Sequence, residues 1–508
     1  MKLSLDMSYS KPTPQTFSVE DAWKPLPTGY WRVDTAQHLL RRMGFSATPK
    51  AVKSALRKSP KHSIEQAFQP NALMPKSEAL AEFESTIHAR YREIYGGDYD
   101  SDQKRIMSNK LRREDEKLFR EYAMDWFVYA RDPKHSAQEK FVLFLQDIFV
   151  VERPTVKECY ALYNLQQTLR EGTTIDYPEL CKRVSRDPAM VRYLDLNKNT
   201  TRKPNENFAR ELFELFILGE GNYTEADIKE ASRAFTGYRI KDRTDFFFQR
   251  NLHDKGVKTV FNEQGNWNGD EVIDITFRQP AAKTFLIREL IKFYLTEDTV
   301  PETYIEALGE LWANNNFNLG YLLKTFFESR LFFYPTYRGN LVKSPIHFYL
   351  GLCHDLNLDV VPFDSRLLRS MRIMGQDFYN PPNVRGWLYG EYWINSTTIS
   401  GRRQVVDYLF SKINEKNLNG NEKRDLKRAR EEERGDFLVT DERLNQVLGT
   451  AIDDLAEHFT SYFITEHSRA NYLEPLQSIM YDSKSEGATR RIRNAIIALL
   501  QSPAYNLS

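Results

Sequence analysis

Residues 204–216 read Pro-Asn-Glu-Asn-Phe-Ala-Arg-Glu-Leu-Phe-Glu-Leu-Phe, a pattern that predicts an amphipathic helix beginning at proline. Phe208, Leu212 and Leu215 would share the face that packs on a core, because residues three and four apart are neighbours on a helix surface. The opposite face would carry the polar residues Asn207, Arg210, Glu211 and Glu214.

The same helical spacing recurs along the chain. Apolar residues repeat every three to four positions over residues 33–43, and Gly44 follows as a stop signal. Thr48-Pro49 has the sequence of an N-cap followed by the first residue of a helix. Residues 76–131 predict two long surface helices, separated at Gly96-Gly97.

Strand-like alternation is confined to two short segments. Residues 244–249 and 258–261 are predicted to form one small hairpin around a loop. The predicted fold class is therefore mainly α, with a large multi-helix domain and a minor β-hairpin.

The predicted organisation has four parts. Residues 1–30 contain four prolines and no periodicity, which indicates a tail draped over the fold or left loose. The main helical domain is expected over residues 31–410. A charged helix or linker is expected over 411–440, and C-terminal helices that pack on the main domain over 441–508.

Composition excludes several classes of protein. The 508 residues include 71 Lys+Arg and 70 Asp+Glu, and this net charge of +1 argues against broad electrostatic binding of nucleic acid. The three cysteines, Cys159, Cys181 and Cys353, lie far apart, which argues against a disulfide framework and a thiolate zinc site.

No membrane span or secretory signal is expected. The chain starts Met-Lys-Leu-Ser-Leu-Asp, so an acid interrupts the start before an apolar stretch can develop. The most apolar stretch, residues 141–151, is interrupted by Gln146 and Asp147 and is shorter than the roughly 20 residues that cross a bilayer. The expected location is the cytoplasm.

A group of carboxylates, one arginine and a turn histidine forms a candidate catalytic set. Carboxylates and a cation on one helix face suit acid/base chemistry, but they equally suit an exposed helix with ion pairs between its turns. A histidine beside a carboxylate in a turn can shuttle a proton, or it can simply be exposed. The candidate residues are Glu206, Arg210, Glu211, Glu214, His253 and Asp254.

Oxygen-bearing side chains before this helix have the spacing of a calcium loop. Asp195, Asn197, Asn199, Thr201 and Glu206 occupy positions 1, 3, 5, 7 and 12 of such a loop. Thr200 stands where the loop needs glycine, and Lys203 puts a positive charge at position 9. A bound calcium ion and a plain asparagine-rich loop are the two alternatives, and no other cofactor is expected.

A second polar segment is rich in amides and tryptophan. Pro381-Pro382 fixes an extended path, and Gly386 permits close approach of the backbone. Such a loop either binds a polar ligand, such as a sugar or a peptide, or closes one edge of the helical domain. The candidate ligand-binding residues are Asn205, Asn207, Gln376, Asn383, Trp387 and Asn395.

Several motifs together carry a family resemblance. In chain order they are residues 38–45 (His-Leu-Leu-Arg-Arg-Met-Gly-Phe), 187–190, 205–214, 221–224, His253-Asp254, Lys343-Ser344-Pro345, Gly375-Gln376 and 381–384. The set resembles the DUF1800 family, a bacterial family of unknown function, over about residues 31–410. The ending 499–505 also resembles the family's C-terminal helix.

The chain departs from that family at one motif. Members typically carry Trp-His-x-His-Phe after a Glu-Lys pair, and many have an export signal. Glu139-Lys140 is present here, but residues 144–149 read Phe-Leu-Gln-Asp-Ile-Phe, without either histidine. If those histidines act in relatives, this chain lacks that activity or performs it differently.

The resemblance also implies a partner. Family members are often encoded beside DUF1501 proteins, which resemble sulfatases and alkaline phosphatases. This context favours a helical binding or accessory protein that acts with a sulfatase/phosphatase-like partner in the processing of surface polymers. The alternative is a hydrolase in which Glu206, Glu211 or Glu214 acts as acid/base, Arg210 holds an anionic group and His253-Asp254 moves the proton.

Overall fold

The computed structural model describes residues 18–69, 73–448, 454–481 and 487–508, which are mainly α-helical as predicted. Residues 1–17 of the expected N-terminal tail lie outside the described residues. The first thirteen α-helices are α1 Val19–Ala22, α2 Val33–Met43, α3 Pro49–Leu56, α4 Pro60–Ala67, α5 Glu78–Gly96, α6 Ser101–Arg131, α7 Ser136–Ile148, α8 Arg153–Val156, α9 Cys159–Glu171, α10 Tyr177–Arg186, α11 Pro188–Tyr193, α12 Asn207–Glu211 and α13 Glu225–Ala234. The later ones are α14 Gly269–Thr276, α15 Phe285–Tyr294, α16 Glu302–Ala313, α17 Leu319–Glu328, α18 Pro345–Asp355, α19 Asp364–Ile373, α20 Ser396–Leu409, α21 Gly420–Glu431, α22 Asp441–Leu448, α23 Leu455–Phe463, α24 Ala470–Tyr481 and α25 Ala488–Leu500.

Local capping signals set several helix ends. Thr48 accepts a hydrogen bond from the Ala51 amide at the start of α3, with proline as the first helical residue. Thr224 and Asp227 form a reciprocal capping box at the start of α13. The long helices α5 and α6 are separated at Gly97, as the sequence predicts.

The β structure differs from the predicted pairing. β1 (Tyr238–Lys241) pairs with β2 (Asp245–Phe248), and β3 (Lys258–Val260) pairs with β4 (Glu263–Gly265), both antiparallel. Residues 244–249 and 258–261 are therefore not partners in one hairpin. Each pairs with its nearest neighbour instead. A three-residue turn joins β1 and β2, and a two-residue turn with positive φ at both Phe261 and Asn262, the geometry that matches strand twist, joins β3 and β4.

The helix predicted from Pro204 begins later than expected. α12 starts at Asn207, and from Leu212 to Ile217 the chain continues as a π-helix. The amides of Leu218 and Gly219 both donate to the Phe213 carbonyl, at 2.9 and 3.1 Å. This wider turn buries Phe213 and Phe216 and leaves Leu215 only half-buried, because side chains no longer repeat at α-helical spacing.

Helix α7 lies in the middle of the core. Phe141, Phe144 and Leu145 are almost fully buried, and the ring of Phe144 packs on Phe293 and Tyr294 of α15. The helix also carries buried Glu139 and Lys140, so its polar groups must find partners inside the protein. None of the described helices is long and apolar enough to cross a membrane.

Candidate functional site

The polar face of α12 is bound up in ion pairs at the surface. Both guanidinium nitrogens of Arg210 donate to the Glu225 carboxylate, at 2.8 and 2.7 Å, and Glu206 lies 3.4 Å away. Glu225 holds the pKa of Arg210 above its usual value. We call Glu206, Arg210, Glu211, Glu214, Glu225 and Arg385 the outer cluster.

Glu214 links the outer cluster to residues 381–395, which we call the polar loop. Its carboxylate accepts from Arg385 at 2.6 Å and from the Tyr223 hydroxyl at 2.5 Å. Burial raises the pKa of Glu211, and the charge of nearby Glu214 raises it further. Arg385 opposes this rise. The structure therefore brings Glu211 and Glu214 together, beside a cation that partly neutralises them.

His253 and Asp254 have other partners. His253 Nδ1 lies 3.0 Å from the Thr236 carbonyl oxygen, and burial lowers the pKa of the imidazole. Asp254 accepts two hydrogen bonds from Arg233, at 2.8 and 3.2 Å, which lower its pKa. Within the described ranges, no hydrogen bond or ion pair joins either residue to the outer cluster.

The residues with calcium-loop spacing mostly contact the protein itself. Asn199 is fully buried, donates to the Ser232 carbonyl at 2.7 Å and accepts from the Asn205 amide at 2.9 Å. Asp195 pairs with Lys198 at 2.8 Å, and Thr201 donates to the Leu252 carbonyl. Asn197 keeps a buried carbonyl oxygen without a partner. The described residues contain no group of three or more His, Cys, Asp or Glu side chains that suits a metal ion.

The predicted amide ligands mostly shape the backbone. Asn205 accepts from the Asn207 amide just before α12, and Asn207 itself is exposed. Asn383 accepts from the Arg385 amide within the polar loop. Asn395 caps α20 by accepting from two amides, at 3.0 Å each.

Two further candidates, Gln376 and Trp387, lie on a small interior cavity of about 50 Å³. Its lining also includes charged and titratable side chains that were not predicted as ligands from the sequence. The residues that define this inner cavity are Arg42, Lys140, Asp147, His347, Gln376 and Trp387.

Lys140 lines the inner cavity. Its ammonium group donates to the carbonyls of Arg41 and Gly44 at the end of α2, at 3.1 and 2.8 Å, and lies 3.4 Å from His347 Nδ1. Gln376 accepts from the Ile346 amide at 3.0 Å, beside His347 at the start of α18. The cavity thus forms where α2, α7 and α18 meet.

Asp147 ties the polar loop to α7. Its carboxylate accepts from the Trp387 amide at 2.8 Å and from the Tyr389 hydroxyl. Gly386 has φ +80°, and a Cβ at this position would collide with the same carboxylate, so the predicted close approach is confirmed. Burial raises the pKa of Asp147 well above its usual range.

The stretch that lacks the two family histidines borders the inner cavity. Gln146 donates to the Tyr379 hydroxyl at 2.5 Å, and the next residue is Asp147. Sequence reasoning missed Arg42, Lys140 and His347 as site residues. Only His347 had a signal, as a single imidazole inside an otherwise apolar helical run, because Arg42 follows another arginine and Lys140 follows a glutamate.

Of the comparisons with known proteins, the one with family models identifies a family. A family model described as "Protein of unknown function (DUF1800)" matches residues 38–507. The chain matches no curated protein and no solved structure. The family match covers nearly the whole chain, and the chain therefore belongs to the DUF1800 family.

Proposed function

We propose that this protein is a helical binding or accessory protein that acts with a sulfatase/phosphatase-like partner of the DUF1501 family, in the processing of surface polymers. One observation supports the binding or accessory role. Although Glu211 and Glu214 lie together, the candidate acid/base groups do not form one site, because no hydrogen bond or ion pair among the described residues joins His253 or Asp254 to the outer cluster. Arg210 is held by Glu225, Glu214 by Arg385 and Asp254 by Arg233. A carboxylate neutralised by a bound arginine is a poor proton acceptor for a substrate.

The polar loop supplies a surface for the partner. Leu388 and Tyr392 are 52% and 69% exposed, and Ile394 is also exposed. These apolar side chains belong to the polar loop, in which the Trp387 amide donates a hydrogen bond to Asp147. This contact fixes the loop, so the loop presents the side chains in a fixed arrangement. Exposed aromatic and aliphatic side chains on a rigid support are typical of protein interfaces.

A tagged pull-down from the native cells, quantified by mass spectrometry, tests this proposal. We expect a sulfatase-like protein in stoichiometric amount, and we expect the double variant Leu388→Ser/Tyr392→Ser to reduce its recovery at least about ten-fold. Ile106→Ser is the matched control, because Ile106 is 63% exposed on α6. Recovery of the partner that is equal in the loop variant and in the control would contradict the proposed surface.

The hydrolase alternative has one supporting observation, the raised pKa of Glu211 beside Glu214. It predicts that Glu206→Gln and His253→Ala abolish a measured hydrolytic activity while the melting temperature stays close to that of the parent. If the pull-down returns this chain alone and the variants behave in that way, the accessory role is wrong. A variant that unfolds instead marks its residue as structural.

A further inference from the structure

Two buried cations at the inner cavity have only neutral partners. Arg42 is 1% exposed and donates to the carbonyls of Tyr294, Leu295 and Tyr337 and to the Asn340 side chain, at 2.6 to 3.1 Å. Lys140 is 5% exposed and donates to two backbone carbonyls. In the part of the chain that the structure describes, no carboxylate lies within ion-pair distance of either. Burying a charge without an opposite charge is costly.

Three residues that line the same cavity have side-chain nitrogens without a hydrogen-bond partner. Arg42 Nε, His347 Nε2 and Trp387 Nε1 are each buried and have no hydrogen-bond partner. Buried polar groups in folded proteins are nearly always paired, so three unpaired nitrogens around one cavity need an explanation. A ligand with several acceptor oxygens would satisfy them.

The size and the rim of the cavity limit that ligand. A volume of about 50 Å³ exceeds the roughly 10–15 Å³ that one water needs by three- to five-fold. The side chain of Lys292, at the rim, is 52% exposed and pairs with Glu289. A small ion can therefore fit, and it would enter past a further positive charge.

Asp147, the one acidic side chain of the lining, does not balance these cations. Both oxygens of Asp147 already accept hydrogen bonds from the polar loop, and burial raises its pKa well above its usual range. Burial, together with the nearby charges of Arg42 and Lys343, lowers the pKa of Lys140. A negative charge in the cavity would offset that repulsion.

We propose that the inner cavity binds a small oxyanion, held by the Lys140 ammonium group and by the unpaired nitrogens of Arg42, His347 and Trp387. Phosphate, sulfate and carboxylate groups share the required chemistry, several acceptor oxygens and a negative charge. The oxyanion is either a free ion or the terminal group of a small molecule whose remainder lies at the rim by Lys292. This site adjoins the surface proposed above for the partner, because Trp387 and Tyr389 of its lining flank Leu388, but the inference does not rest on that surface.

Isothermal titration calorimetry of the full chain tests the site at constant ionic strength, with chloride as the reference anion. The probes are inorganic phosphate, sulfate, acetate and methyl phosphate. We expect one-to-one binding of at least one of them. Preference for inorganic phosphate or sulfate identifies a free ion, and preference for methyl phosphate or acetate identifies a group on a larger molecule. No binding above that of chloride would overturn the proposal.

Two variants locate the binding. Trp387→Phe keeps an aromatic ring and removes one donor, so we expect about a ten-fold weaker affinity, equivalent to 1.4 kcal/mol. Lys140→Met should abolish binding, and Trp387→Phe decides the matter if that variant does not fold. The control is Trp267→Phe, a half-buried tryptophan outside the cavity that donates to the Glu263 carbonyl. Equal affinity in the Trp387 variant and the control would overturn the proposal.

Discussion

The outer cluster and the inner cavity contain similar side chains in opposite surroundings. In the outer cluster, Arg210 and Glu225 form a two-bond ion pair, with the carboxylate side chain 75% exposed. In the inner cavity, Arg42 and Lys140 are buried and have only neutral hydrogen-bond partners. Water and salt screen the first group, whereas the second is in a low-dielectric interior where each charge and each unpaired atom carries a larger free energy.

This difference teaches where function is to be sought in the chain. The outer cluster looked like a site in the sequence because four of its residues, Glu206, Arg210, Glu211 and Glu214, lie within nine positions of one another. The inner cavity is assembled from α2, α7, α18 and the polar loop, which are far apart in sequence. The two regions differ in whether their charged side chains have oppositely charged partners, and not in how many charged residues they contain.

The largest expected effect comes from the interior polar groups of α7. Glu139 is completely buried and pairs with Arg170, which donates to it at 2.6 and 2.7 Å. Arg170→Met should lower the free energy of unfolding by about 3–5 kcal/mol, because it leaves a buried carboxylate unpaired. Urea denaturation measures this loss.

The double variant Glu139→Met/Arg170→Met is the control for the charge itself. Because it buries neither charge, we expect it to recover part of the lost stability. A loss below about 1 kcal/mol in Arg170→Met would erase the contrast between the interior and the outer cluster.

Two glycines allow a matched test of the two regions. Gly386 beside the inner cavity has φ +80°, and Gly221 between the π-helix and α13 has φ +83°. Gly386→Ala should cost more than about 2 kcal/mol, since the new Cβ collides with Asp147, whereas Gly221→Ala should cost about 1–2 kcal/mol from the backbone conformation alone. Thermal unfolding of both variants measures the difference, and equal costs would contradict the close approach at Gly386.

The interior should also respond to acid. Burial lowers the pKa of His354, on the same helix as His347, to about 4, although neighbouring Asp355 opposes the shift. Between pH 6.5 and about 4 the unfolded imidazole binds a proton that the folded one does not, so stability falls as the pH drops, on the order of 1 kcal/mol per pH unit. His354→Gln should flatten this part of the profile of melting temperature against pH. An unchanged slope would show that other groups control acid unfolding.

The smallest effect is expected in the outer cluster. Arg210→Ala removes the ion pairs with Glu225 and Glu206, and both carboxylates then remain in contact with water. We expect a loss below about 1 kcal/mol that shrinks further at high salt. Urea denaturation at low and high salt measures it. A loss of several kcal/mol would show that the outer cluster is as strongly coupled as the interior.

The sequence predicted the elements whose signals are local. Thr48-Pro49 and the Thr224/Asp227 pair marked helix starts, because a cap and its acceptor lie within one turn. The hairpin partners were mispredicted, since positive φ at Asp242 and Arg243 carries no glycine signature.

The candidate site was harder to predict than the fold. Lys140 meets the Gly44 carbonyl 96 residues away and His347 207 residues away, so neither contact leaves a pattern in a short window. Gln376 and Trp387 were singled out from the amide-rich loop, and they do line the inner cavity. Their cationic neighbours became visible only through tertiary packing.

The π-helix from Leu212 to Ile217 makes the length of this segment as important as its composition. Its backbone bonds span five residues, so it holds one residue more than an α-helix over the same turn. Deleting one residue within it would restore α-helical bonding over that turn, which moves the side chains inside the turn to other faces while the flanking segments keep their places. Glu214 and Tyr223 would then lose their common register, which no single substitution in the outer cluster would bring about.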